Sequence, residues 1–105
     1  MSEYLEKIKK YKNNPSKLGE IHLALGYRYA EISSEYEELI PEICKQKRKF
    51  QDEFKTVARA DREFEMSSLG QIEKSVKYKL KSLEKLMSSI KRRLDTLDME
   101  AHNQY

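Results

Sequence analysis

The 105-residue sequence is poor in everything that makes crosslinks, turns and compact mixed folds. A single cysteine, Cys44, excludes an internal disulfide, and its place beside Ile43 amid helical residues predicts a packed or half-buried thiol rather than a reactive one. Two prolines and three glycines leave few points of reversal, which excludes the many short strands and tight turns of a sandwich or barrel. No run of about 18 apolar residues could span a bilayer. The opening residues, MSEYLEKIKKYKNN, lack the apolar stretch of a signal peptide, so a cytoplasmic location without membrane contact is expected.

Groups that carry chemistry are equally scarce. His22, His102 and Cys44 are far apart in sequence and form no ligand motif, so no metal is expected. There is no glycine-rich phosphate loop and no nucleophile elbow, and hence no expected cofactor. Glutamate pairs at helical spacing are abundant, but a catalytic carboxylate pair needs a pocket to shift its pKa values, and long thin helices rarely build one. Enzyme activity is not expected.

What the chain has is charge, 37% of residues, against 38% hydrophobic, and within it two apolar stripes. One runs Leu25, Tyr29, Ile32, Tyr36, Leu39, Ile43, then Phe50 and Val57. The other runs Val76, Leu80, Leu83, Met87, Ile90, Leu94, Leu97, Ala101 with steps alternating between four and three. That alternation keeps one seam of a helix facing a partner helix. The expected fold is all-α, a single domain over residues 1–105, with a short N-terminal helix and two long helices forming an antiparallel coiled-coil hairpin. Because a two-helix hairpin buries little, a second copy or another protein is expected to cover the rest, giving a homodimer or higher oligomer.

Local signals place the boundaries. Helix 1 is expected over about 2–12, stopped by Asn13-Asn14-Pro15; helix 2 over 15–59, with Pro15 tolerated where the amide has no helical partner. Pro41 removes one helical hydrogen bond, and since the seam continues across it the reading is a kink, not a reversal. Gly19 and Gly26 each cost about 1 kcal/mol relative to Ala inside a helix, which implies either loose winding or close approach of another backbone. Helix 3 is expected over 67–101, with Ser68 and Gln71 at capping-box spacing. The final residues from His102 to Tyr105 read as a frayed end.

The segment from Gly70-Gln71 through Lys77-Tyr78-Lys79-Leu80-Lys81-Ser82-Leu83-Glu84-Lys85-Leu86-Met87-Ser88-Ser89-Ile90-Lys91, together with the ending Glu100-Ala101-His102-Asn103-Gln104-Tyr105, resembles a group of small uncharacterised early-region proteins of phages infecting Gram-positive bacteria. The likeness covers about the C-terminal third. It implies a small accessory protein made early in infection, near genes for replication and recombination or genes that counter host defence. It transfers no catalytic residues.

The net charge is only +3, but the charges segregate. Glu31, Glu35, Glu38 and Glu42, at spacings of four, three and four, form a continuous acidic flank and a candidate partner-binding surface. Lys45, Lys47, Arg48 and Lys49 follow, and helix 3 supplies Lys77, Lys81 and Lys85 among others. If helices 2 and 3 fold back near Asp61, Tyr36 meets Ile90 and Ile43 meets Leu83. The acidic flank then meets Lys91, Arg92 and Arg93, while the two basic runs lie alongside each other. Such a concentration of positive charge is a candidate surface for nucleic acid or an acidic partner, with Tyr78 available to stack. Lysine-rich outer faces also serve simply to keep coiled coils in solution.

Two functions are consistent with these features. The first is a phage-type helical protein-interaction module, an adaptor or inhibitor acting on a host or phage nucleic-acid-processing or defence enzyme. The second is a nucleic-acid-binding accessory factor in phage replication or recombination. The apolar seams are the stronger signal, and no recognised nucleic-acid motif is present, which ranks the first above the second.

Overall fold

The structure, a computed structural model, describes residues 2–103 and consists there of four α-helices. These are α1 (Ser2–Lys10), α2 (Pro15–Glu53), α3 (Val57–Met66) and α4 (Ser68–Asn103). The fold is all-α, an antiparallel coiled-coil hairpin of two long helices with a short helix before it, as the seams predict. Its contacts group into two compact units, one of residues up to 30 with those from 81 onward, the other of residues 31–80.

In the first unit the α1–α2 junction follows from three residues. The Tyr11 amide still reaches the Lys7 carbonyl at 2.9 Å, and the Asn14 amide bonds Tyr11 O. Asn14 then caps α2: its Oδ1 accepts from the Lys17 amide at 3.1 Å and its carbonyl from the Leu18 amide at 3.0 Å. Pro15 takes the first helical position, where a missing donor costs nothing. Arg93 of α4 pins this junction, its Nε donating to the Lys12 carbonyl at 2.7 Å and its Nη2 to Asn13 Oδ1. Sixteen residues farther along α2 the Tyr29 hydroxyl donates to Glu84 Oε1 at 2.8 Å, so α2 and α4 run antiparallel. The buried side chains are Leu18, Ile21, Leu25, Leu83 and Ile90.

In the second unit Tyr36 pairs with Glu73 and Phe50 packs edge-on to Phe64, again antiparallel. Pro41 lies inside an α2 that continues to Glu53, and the chain does not reverse there. The reversal comes at 54–56. Phe50 and Phe54 stack at 5.9 Å, Phe64 meets Phe50 at 6.1 Å, and the Arg59 guanidinium covers the Phe54 ring, closing the end of the hairpin with aromatic surface. Thr56 restarts the helix by accepting the Arg59 amide on Oγ1 at 3.2 Å.

These details correct several boundaries. Helix 2 ends at Glu53 rather than at 59, and a separate helix α3 (Val57–Met66) fills the gap left between the expected second and third helices. Val57 therefore leaves the seam and is 67% exposed. Helix 1 ends at Lys10 rather than 12, and the last helix runs 68–103 rather than 67–101. Its cap is Ser67, not Ser68: Ser67 Oγ accepts from the Gly70 amide at 3.1 Å while donating to the Phe64 carbonyl. Gln71 reaches past it to the Glu65 carbonyl at 2.6 Å. Gln104 and Tyr105, expected to fray, lie outside the described residues; His102 and Asn103 are helical.

The pairing register shifts accordingly. Moving the reversal from the Asp61 region back to Phe54–Thr56 brings Glu73, not Ile90, to Tyr36. Arg93, expected against the acidic flank, instead holds the α1–α2 junction.

Candidate functional site

Glu31, Glu35, Glu38 and Glu42 are all exposed on α2, and their four-three-four spacing sets them along one flank of that helix. Glu42 accepts a hydrogen bond from Gln46 Nε2 at 3.4 Å. The flank is formed as the spacing requires.

The basic residues divide into two kinds. Lys45, Arg48 and Lys49 are exposed on α2, and Lys81 and Lys85 are exposed on α4 with Lys74, on the side of α4 turned away from buried Leu83 and Ile90. Tyr78 stands beside them, 73% exposed. Lys47 and Lys77 behave differently. Both ammonium groups approach Glu73 Oε1, at 3.7 Å and 3.8 Å, and Lys47 also lies over the Phe64 ring at 5.2 Å. Lys47 is thus engaged with Glu73 across the helix pair, although 44% of its side chain is exposed. Its spacing alone did not reveal this, because the carboxylate that holds it is 26 residues away.

Glu73 is the centre of that cluster. Its side chain is only 12% exposed, and its second oxygen accepts from the Tyr36 hydroxyl at 3.1 Å. Two cations and a phenol satisfy a carboxylate that would be costly to bury alone. Burial, the hydrogen bond to Glu73 and the Glu73 charge push the Tyr36 pKa above its ordinary value, against the opposing pull of Lys47. The sign follows: a raised phenol pKa contributes stability that is complete below about pH 10 and is lost as pH climbs through the higher folded value. The Tyr36→Phe variant is therefore expected to lose stability less steeply above pH 10 than the parent. Denaturant midpoints at pH 9, 10 and 11 measure it, and parallel curves for the two proteins would contradict the assignment.

Cys44 is exposed, not packed, because one residue beyond buried Ile43 rotates the side chain about 100° out of the seam. Among the described residues no group of three or more His, Cys, Asp or Glu is placed to hold a metal, and no helix is long and apolar enough to cross a membrane.

Sequence patterning did not single out one further surface. On the side of α2 away from its buried seam, Gly19, Leu23, Gly26, Tyr27 and Ala30 follow one another without a charge. Leu23 and Tyr27 are 59% and 65% exposed, and nothing in the chain lies within 4 Å of where a Cβ on either glycine would stand. The signal was present in the same four-three-four spacing (19, 23, 26, 30), hidden because two of its members are glycines. Comparison with protein-family models, curated proteins and solved structures finds no match to the chain.

Proposed function

We propose that this chain is a helical protein-interaction module, an adaptor or inhibitor that docks on another protein through helix surfaces rather than a catalytic site. The observation that carries the reading is the distribution of apolar surface. Among the described residues, Leu23, Tyr27, Ile40, Ile72, Tyr78 and Met99 belong to nine large apolar side chains left 40–73% exposed, as many as the nine apolar residues that are buried. Where such residues adjoin on one side of a helix, as Leu23 and Tyr27 do, they form an apolar patch of the kind that favours association.

The acidic flank supplies direction. Four exposed carboxylates in line along α2 complement a basic groove, the kind of surface with which an enzyme holds nucleic acid. With the resemblance to phage early-region proteins, the partner is a host or phage nucleic-acid-processing or defence enzyme. Affinity capture from host or infected cells after nuclease treatment tests this. A protein retained by the parent and lost when Glu31, Glu35, Glu38 and Glu42 are together changed to Gln supports the reading; capture that survives the change, or that disappears with nuclease, counts against it.

A second reading, a nucleic-acid-binding accessory factor, is favoured by one observation: Lys74, Lys81 and Lys85 share an exposed side of α4 with Tyr78. Phosphate contacts release counterions, so such binding weakens steeply with salt. Since Lys47 and Lys77 hold Glu73, the informative variant changes Lys45, Arg48, Lys81 and Lys85 to Gln. For an interaction module we expect negligible DNA or RNA affinity at physiological salt in the parent. Sub-micromolar binding with a steep salt slope, made shallower in the variant, would reverse the ranking.

A further inference from the structure

We infer that α1 is a strap: residues 2–10 release from α2 as one unit while the rest of the fold stays in place, and the release uncovers Ile21. The motion follows from the fold alone; its use, baring apolar surface to a partner, rests on the interaction-module reading. A helix of nine residues is marginal in water by itself, so α1 persists only while something holds it. Little does. None of its nine residues is buried; Tyr4 and Ile8 are half-buried, as is Tyr11 just beyond them, and Leu5 is 44% exposed.

The seat of α1 supplies the reason. Tyr4, Lys7 and Tyr11 follow at steps of three and four along one face, and Lys17, Ile21 and Ala24 of α2 stand across from them. Between the two rows is a cavity of about 290 Å³. An apolar cavity of about half that size admits benzene, and well-packed elements leave few voids larger than a water molecule. Groups that line a void have no atoms to touch on that side and forfeit the dispersion energy of close packing.

Polar contacts do not make up the loss. The ion pair at the cavity rim, Lys17 with Glu20 at 3.4 Å, lies within α2 and ties nothing across the gap. Among the described residues no hydrogen bond or ion pair joins residues 2–10 to α2 or α4. The anchors come just after the helix. Arg93 holds the Lys12 carbonyl and the Asn13 side chain, and Asn14 caps α2, which fixes the chain at 12–14 and leaves Tyr11 as the hinge. Farther along, α2 and α4 keep ties of their own in buried Leu25 and Leu83 and in the bond from Tyr29 to Glu84. Release of α1 therefore costs much less than unfolding, and is expected in on the order of 1% of molecules. In the released state Ile21, 8% exposed while α1 is seated, lies open beside exposed Ala24, and Tyr4 and Ile8 lose their cover as well.

Native-state hydrogen exchange of the full chain, read by NMR, tests the inference. The amides of residues 6–11 are expected to exchange with one common opening constant, at least 100-fold larger than that of Leu25 and Leu83. Tyr4→Ala takes a half-buried ring from the seat and is expected to speed their exchange at least fivefold. Ala24→Leu puts atoms into the cavity and is expected to slow it at least threefold, with Leu25 and Leu83 unchanged in both variants. Uncovering is read separately on a Cys44→Ser background, where the thiol of Ile21→Cys is expected to react with N-ethylmaleimide at least fivefold faster once Tyr4→Ala is added. Opening of residues 6–11 only together with Leu25 and Leu83, or a gradient of protection along α1 such as end fraying gives, overturns the strap. A thiol reactivity indifferent to Tyr4→Ala overturns the uncovering. Capture of a partner through the acidic flank is a separate measurement, so its failure removes the interaction-module reading and leaves the exchange result to decide the strap.

Discussion

Replacing Leu83 or Ile90 by Asp is expected to strip several kcal/mol from the stability of the fold and lower its melting temperature sharply, while Lys85→Asp, between them on the same helix, leaves stability nearly unchanged. Leu83 and Ile90 are 1% and 0% exposed and belong to the small set of fully buried side chains that includes Leu18 and Leu25. An aspartate at either site loses the transfer energy of a buried aliphatic group and must either stay charged in an apolar layer or take up a proton to enter it. Together these cost on the order of 4 kcal/mol, out of a total stability of roughly 5–15 kcal/mol for a domain of this kind. Lys85 points outward, two residues past Leu83, with its side chain in water. Thermal unfolding followed by circular dichroism checks the contrast; equal losses in the three variants would mean that the facing of α4 is wrong.

The contrast was already legible in the sequence. An unbroken alternation of four and three steps fixes which side of a helix is buried whatever its partner, so Leu83 and Ile90 are buried as their spacing requires. The seam thins toward its end: Leu94 and Leu97 are half-buried and Ala101 is exposed. Periodicity also carried α2 through Pro41, because one lost hydrogen bond is a small term against the packing of residues before and after it.

What periodicity does not encode is where the chain turns and how far one seam slides along the other. The turn depends on the Thr56 cap and on the packing of Phe50, Phe54 and Phe64. One of those rings lies near the end of α2, one in the break and one after it, so their common role exists only in the folded hairpin. The slide decides the electrostatics. With Tyr36 opposite Glu73, the neighbours of Lys47 change from a repelling row of lysines to a half-buried carboxylate. For the candidate site, the acidic flank was readable because it is a property of one helix. The pairing of Lys47 with Glu73 was not, because it joins two helices.

Glycine gives the other large expected effect, and with opposite signs at different positions. Gly70 lies in the first turn of α4, where the Ser67 hydroxyl donates to the Phe64 carbonyl and accepts from the Gly70 amide. A Cβ at this position would stand 2.0 Å from the Phe64 carbonyl oxygen and 2.9 Å from Glu65 Cα. Those are backbone atoms of the preceding helix, which cannot rotate aside as a flexible side chain could. Gly70→Ala therefore forces α3 away from α4, breaks the Ser67 bridge and loosens buried Phe64, for a loss of about 3 kcal/mol. Gly19→Ala and Gly26→Ala meet nothing within 4 Å and relieve the entropy cost of glycine in a helix. At micromolar concentration each is expected to raise stability by about 0.5–1 kcal/mol. Chemical denaturation of the three variants at fixed low concentration decides the matter. A Gly70→Ala protein as stable as the parent would show that the α3–α4 joint yields, and destabilisation at Gly19 or Gly26 under the same conditions would show that their surface is covered within a single chain.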